Sequence, residues 1–137
     1  MDQYYAANLL QSKGIKPSYL RIRILSYMLT MRNHPTVDMI YHALSPEIPT
    51  LSRTTIYNTV DLFLENRLVQ LIGIDEKEIR YDADISTHAH FLCEKCGRIL
   101  DLPINKDWPI FESPDIKIRE IQYYLKGLCK QCDEISN

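Results

Sequence analysis

Two C-x-x-C pairs, Cys93-Glu94-Lys95-Cys96 and Cys129-Lys130-Gln131-Cys132, hold all four cysteines of a 137-residue chain. Two such knuckles can give four thiolates to one tetrahedral zinc, and that closes everything between them, residues 97–128, into one small module. Gly97 follows the first pair directly, where a tight turn favours a residue without Cβ. Lys95 and Lys130 stand inside the pairs and would offset part of the negative charge of a zinc–tetrathiolate centre. The alternatives are two local disulfides or a thioredoxin-like redox pair. The redox reading wants a strand–CxxC–helix setting, whereas these pairs sit in sequence that reads as strand. A module of about 50 residues is also too small for a generous core, so a structural metal would supply stability it otherwise lacks.

The first two thirds of the chain contain no cysteine and read differently. Residues 2–13 predict an amphipathic helix, with Tyr5, Leu9 and Leu10 among its apolar positions and Gly14 as its stop. Pro17 or Ser18 opens a second helix carrying Leu20, Ile24, Leu25 and Met28. After the break Asn33-His34-Pro35, Thr36 is placed to cap a third helix that ends near Ser45-Pro46. Ser52 caps a fourth, RTTIYNTVDLFLE, whose Ile56, Val60, Phe63 and Leu64 form one stripe. Residues 68–74 and 79–82 read as two strands joined by the charged turn Asp75-Glu76-Lys77-Glu78. Helices followed by a hairpin suggest a winged helix, with the fourth helix presenting Ser52, Arg53, Thr54, Thr55, Tyr57, Asn58 and Asp61 to a major groove. A plain helical bundle with a solvated face fits the same pattern. The net charge of −2 gives no global signal for nucleic acid. Any such signal is local, as in Lys13, Lys16, Arg21 and Arg23 near the start of the second helix.

Past a boundary near Asp82–Ser86 the pattern becomes strand, knuckle, strand (residues 84–104), then a short helix near 107–113 between prolines, then one long strand from Ile116 into the last cysteine pair. With the cysteines assigned to zinc, His88 and His90 are left over. Two positions apart on a strand, they point to one face. Asp101 lies on the returning strand within reach of that face, Asp82 ends the hairpin, and His34 sits in the break before the third helix. Imidazole with carboxylate suits Fe(II), Mn(II), Co(II), Ni(II) or Zn(II). A solvated His-x-His is the plainer reading, and His42, mid-helix, reads as a surface residue. The start, MDQYYAANLLQSK, has the pattern of neither a signal peptide nor an anchor, and no stretch approaches the roughly 18 apolar residues of a membrane span. The expectation is a cytoplasmic protein with no membrane partner.

In order along the chain, HPTVDMIYHAL, LSRTTIYNTVDLF, RYD, HAHFLCEKCGRILDL and CKQC resemble the Fur family of bacterial metal-dependent repressors, and most resemble its peroxide-sensing, PerR-like branch. The resemblance implies an α+β fold: a winged helix-turn-helix DNA-binding domain, residues 1–83, then a small α/β dimerisation and metal-binding domain, residues 84–137, with structural Zn(II) on Cys93, Cys96, Cys129 and Cys132. It implies a homodimer on a palindromic double-stranded DNA operator, with Arg21 matching a family arginine that contacts DNA. It also implies a regulatory Fe(II) or Mn(II) held by His34, Asp82, His88, His90 and Asp101, with His34 and His88 as the ligands open to oxidation when the metal is iron. Asp101 and Asn58 are the choices of the peroxide-sensing branch, where iron-sensing members usually carry glutamate and often arginine. A Fur-type repressor sensing iron or manganese without peroxide chemistry is the near alternative. Two other classes are a non-haem iron enzyme on a two-His-one-carboxylate site, for which the chain is short and lacks a substrate motif, and a zinc-stapled protein-interaction module that binds no DNA. The expectation is that the chain is not an enzyme.

Overall fold

The computed structural model describes residues 2–105, 107 and 111–136, which fall into two compact units divided between Ile85 and Ser86. The first unit is built from α1 (Asp2–Ser12), α2 (Tyr19–Met31), α3 (Val37–Leu44), α4 (Arg53–Glu65) and a hairpin of β1 (Gln70–Ile72) and β2 (Arg80–Asp82). Three of its helices start where a side chain caps them. The hydroxyl oxygens of Ser18, Thr36 and Ser52 accept from the backbone N–H groups of Arg21, Met39 and Thr55, satisfying one otherwise orphaned donor at each helix start. The apolar stripes then meet in one core: Ala6 and Leu10 from α1, Ile24, Leu25 and Met28 from α2, Ile40 and Leu44 from α3, Ile56, Val60 and Phe63 from α4. Tyr5, expected on the apolar side of α1, is exposed instead, because Ala6 and Leu10, with Leu9 beside them, are the α1 residues that turn to this core.

The antiparallel hairpin pairs Gln70 with Asp82 and Ile72 with Arg80. It is shorter on its first strand than the expected residues 68–74; Leu68 and Val69 join the helical core rather than the ladder.

The second unit carries β3 (Ala89–Cys93), β4 (Ile99–Leu102), β5 (Tyr123–Gly127) and α5 (Lys130–Ser136). β3 is central, antiparallel to β4 and parallel to β5. Three expectations change here. The final strand is five residues long and begins at Tyr123, not Ile116, because the five residues of β3 are all the ladder it has to pair with. The second cysteine pair leads into a helix rather than lying in strand: Cys129 stands just before α5 and Cys132 lies within it. The short helix expected near 107–113 falls partly outside the described residues, and residues 111–113 are not helical.

Candidate metal centre and nucleic-acid interface

The cysteine set is built by the sheet of the second unit. β3 delivers Cys93, and the turn to β4 is closed by the Gly97 N–H on the Cys93 carbonyl at 2.9 Å and the Cys93 N–H on the Arg98 carbonyl at 3.0 Å. Gly97 takes φ +78°, the left-handed region where a Cβ is strained. β5 runs parallel to β3 and brings Cys129 to the same end, where its N–H donates to the Cys93 sulfur at 3.4 Å. One sulfur from each of Cys93, Cys96, Cys129 and Cys132 lies within 4.8 Å of all the others, and Cys96 and Cys129 are 3.9 Å apart. A zinc–sulfur bond of about 2.3 Å puts tetrahedral ligands about 3.8 Å apart. Backbone N–H groups of Cys129 and Cys96 draw the Cys93 thiol down to about 6. The Cys132 N–H lowers that of Cys129, while the Cys129 sulfur holds the Cys132 thiol up, to about 12. Without a metal the sulfurs thus divide protons unequally among themselves. A divalent cation replaces those protons, so the donor set fits structural zinc. The helix after Cys129 does give the second pair the strand–CxxC–helix setting of a redox motif. Four converging sulfurs, however, are what a metal needs and a dithiol does not.

The imidazoles and carboxylates form one set in each unit. In the first, His34 and Asp82 are both buried, with Nε2 and Oδ2 3.5 Å apart. The hairpin holds this pair. The Arg80 guanidinium donates to the His34 carbonyl at 3.1 Å, and the Tyr81 N–H to the Pro35 carbonyl at 3.1 Å. One oxygen of Asp82 accepts the Asp84 N–H at 2.9 Å. His34 itself sits at φ +50°, which a non-glycine residue adopts at a cost on the order of 1 kcal/mol and keeps only where its surroundings fix it.

In the second unit His90 and Asp101 are directly opposite across β3 and β4. The Nε2 atoms of His88 and His90 converge on the same Asp101 oxygen, at 3.2 and 3.4 Å, and their rings lie 4.4 Å apart. His88 Nδ1 is 2.8 Å from the Ser86 carbonyl. A carbonyl only accepts, so Nδ1 carries the proton and Nε2 of the neutral ring presents its lone pair to Asp101. Lone pair against carboxylate is relieved by a second proton or by a cation. The donors of both sets therefore fit a divalent first-row metal.

The exposed side of α4 carries Arg53, Thr54, Tyr57, Asn58 and Asp61, with Ser52 before it and Thr55 half-buried. Not all of these are equally free. The Ser52 hydroxyl is engaged with Thr55, 3.2 Å from its N–H and 2.8 Å from its hydroxyl. Arg53 is held by α3: Nε is 2.9 Å and Nη2 2.7 Å from the same oxygen of Asp38, and the guanidinium lies 4.1 Å over the Tyr41 ring. Arg21, on α2, is half-buried and donates to the Lys16 carbonyl at 3.0 Å. Sequence reasoning missed Arg80 as the brace of His34, and Asp38 and Tyr41 as the seat of Arg53. A carboxylate in the first turn of a helix reads as a partner of the helix dipole, and nothing local marks its long-range partner.

The profile of the Ferric uptake regulator family matches residues 12–121. The peroxide-responsive repressor PerR of Staphylococcus epidermidis is 31% identical over 136 residues, spanning 93% of this chain and 88% of that protein. Among solved structures, PerR from Streptococcus pyogenes aligns with a TM-score of 0.55 at 25% identity, over 96% of this chain and 92% of that one. The ferric uptake regulator of Helicobacter pylori aligns with a TM-score of 0.70 at 17% identity, over 96% and 91%, a likeness of fold. The family match spans most of the chain, and this chain belongs to the Ferric uptake regulator family.

Proposed function

We propose that the chain is a metal-dependent, homodimeric transcriptional repressor that binds double-stranded operator DNA and is switched off by peroxide. Residues 1–83 read the DNA through the α4 face and Arg21, and residues 84–137 dimerise. Zn(II) on Cys93, Cys96, Cys129 and Cys132 is structural. His34 and Asp82 from the first unit join His88, His90 and Asp101 from the second on one regulatory ion, Fe(II) or Mn(II). The observation that carries this reading is that each unit contains its own imidazole–carboxylate set, His34 with Asp82 and His88 and His90 with Asp101, each with Nε2 aimed at a carboxylate oxygen. Neither set alone offers the five or six donors that such ions take. An ion that needs both sets favours the one arrangement of the two units that supplies them, and its differential affinity is what shifts the population.

The peroxide branch is supported by the staphylococcal relative, itself a peroxide-responsive repressor. Fe(II) held by these residues would offer hydrogen peroxide a reductant beside the imidazoles of His34 and His88, chemistry that Mn(II) would not supply. Overall, an imidazole C–H of His34 or His88 and one H2O2 give a ring bearing one added oxygen atom, and water. The oxidised ring is a poor ligand, so the metal and the operator are released. The test is to load the full chain with Fe(II) without oxygen, add H2O2, and weigh tryptic peptides beside a gel-shift assay. Oxygen added at His34 or His88 with loss of DNA binding is expected; unmodified histidines with DNA binding retained would mean a repressor that senses metal without peroxide chemistry.

A further inference from the structure

Arg53 is the first residue of α4, and its guanidinium is already committed on one side. Nε and one Nη2 proton go to a single oxygen of Asp38, at 2.9 and 2.7 Å, and Tyr41 covers one face of the plane at 4.1 Å. The second Asp38 oxygen lies 3.3 Å from His42 Nε2. The pair is still half open to solvent, with Arg53 50% and Asp38 56% exposed. A guanidinium has five N–H donors in a fixed plane. With the Nε side taken, the outer edge of Nη1 and Nη2 remains, two parallel donors. That edge matches the O6 and N7 acceptors that guanine presents in the major groove.

We propose that Asp38, backed by Tyr41, is a specificity-determining positioning residue that makes Arg53 a reader of guanine rather than a phosphate clamp. The inference rests on the reading of the α4 face as the DNA-binding surface. The physical basis is charge. A lone arginine gains most from phosphate, by charge and counterion release. Beside Asp38 the pair is neutral overall, and a phosphate brought to Arg53 also meets the Asp38 carboxylate. A guanine edge is uncharged, so it meets no such penalty and keeps both hydrogen bonds. The stacked seat, with two donors on one carboxylate oxygen, also fixes the side chain before DNA arrives, which reduces the entropy lost on binding. The start of a recognition helix is where base-edge contacts are made in helix-turn-helix proteins.

The experiment uses the full chain with zinc in place and Mn(II) added, and a pool of randomised duplexes. Wild type, Arg53→Ala, Asp38→Ala and Asp38→Asn are each taken through selection. Each is then titrated against the selected duplex and a random one over a range of salt. Wild type should select a guanine that Arg53→Ala no longer selects, with affinity for the selected duplex down about tenfold and little change on random DNA. Asp38→Ala should lose the same preference, bind random duplex more tightly, and show a salt slope steeper by about one phosphate contact. Asp38→Asn keeps an acceptor oxygen without the charge. It should retain the guanine preference and still show the steeper slope, and it carries the test if Asp38→Ala misfolds. A guanine preference and salt slope unchanged in both Asp38 variants would overturn the inference while leaving the DNA-binding reading intact. A selected sequence unchanged in Arg53→Ala would overturn it by removing Arg53 from base readout, and wild type that binds no duplex would overturn both.

Discussion

The two units of this chain are held together by different means. In the first, fully buried side chains from all four helices, among them Leu10, Ile24, Leu25, Ile40, Ile56 and Phe63, make one apolar core. In the second, the buried cluster among the described residues is Cys93, Cys129 and Cys132 with Phe91 packed beside them. Apolar burial contributes roughly 25 cal/mol per Å², so a unit with so little of it needs another source of stability. The difference teaches where each unit is vulnerable: the first to loss of packing, the second to loss of a cation. It also suits a sensor. In the function proposed above, a reading head stabilised by apolar packing works beside a module stabilised by metal.

The largest effect should come from the zinc. Substituting Cys96→Ser, or stripping zinc with a strong chelator, should remove on the order of 10 kcal/mol of folding free energy from the second unit. Amide exchange then reads out the comparison directly. Residues 89–102 and 123–136 should lose protection while the helices of residues 2–65 keep theirs. Loss of protection in both units alike would mean that the first has no independent stability. The converse lesion is Phe63→Ala, which empties a fully buried site in the first unit and should cost about 3–5 kcal/mol in denaturant unfolding, with zinc content per chain unchanged.

A smaller effect sharpens the picture at the surface of the first unit. Arg23 donates to both oxygens of Glu47, at 2.6 and 3.0 Å, linking α2 to the turn after α3. The hydrogen bond from Arg23 holds the Glu47 carboxyl below its ordinary 4.5. A depressed carboxyl contributes stability that is present above the ordinary value and lost as pH falls through the lowered one. Glu47→Gln should therefore lower stability slightly at neutral pH and flatten its fall under acid. The difference should shrink in high salt, since the carboxylate is solvent-exposed. An identical acid limb in the variant would remove this pair from the account.

Much of this was legible in the sequence because it is local. The caps Thr36 and Ser52, the apolar stripe of α4, the turn at Gly97 and the shared face of His88 and His90 each follow from a few neighbouring residues. What was not legible depends on partners distant in the chain. Residues 116–122 alternate like a strand, yet they lie outside the stretch that pairs with β3. The helix after Cys129 is seven residues long and has little apolar period of its own to announce it. The seat of Arg53 on Asp38 and Tyr41 joins two helices through side chains alone, and the brace of Arg80 on His34 reaches across 46 residues. The left-handed backbone at His34 likewise carries no composition signal, since glycine is what such a turn usually announces.

The function proposed above requires that one regulatory ion draw ligands from both units. It is tested most directly by Mn(II) binding to the zinc-loaded chain with His34→Ala, Asp101→Ala and the double substitution, titrated for stoichiometry and affinity alongside DNA binding. One Mn(II) per wild-type chain is expected. Each single substitution should weaken it severely, and the double should be scarcely weaker than either single, since both remove the same site. Two independent Mn(II) ions per chain, or losses that simply add, with DNA binding indifferent to one of them, would contradict it.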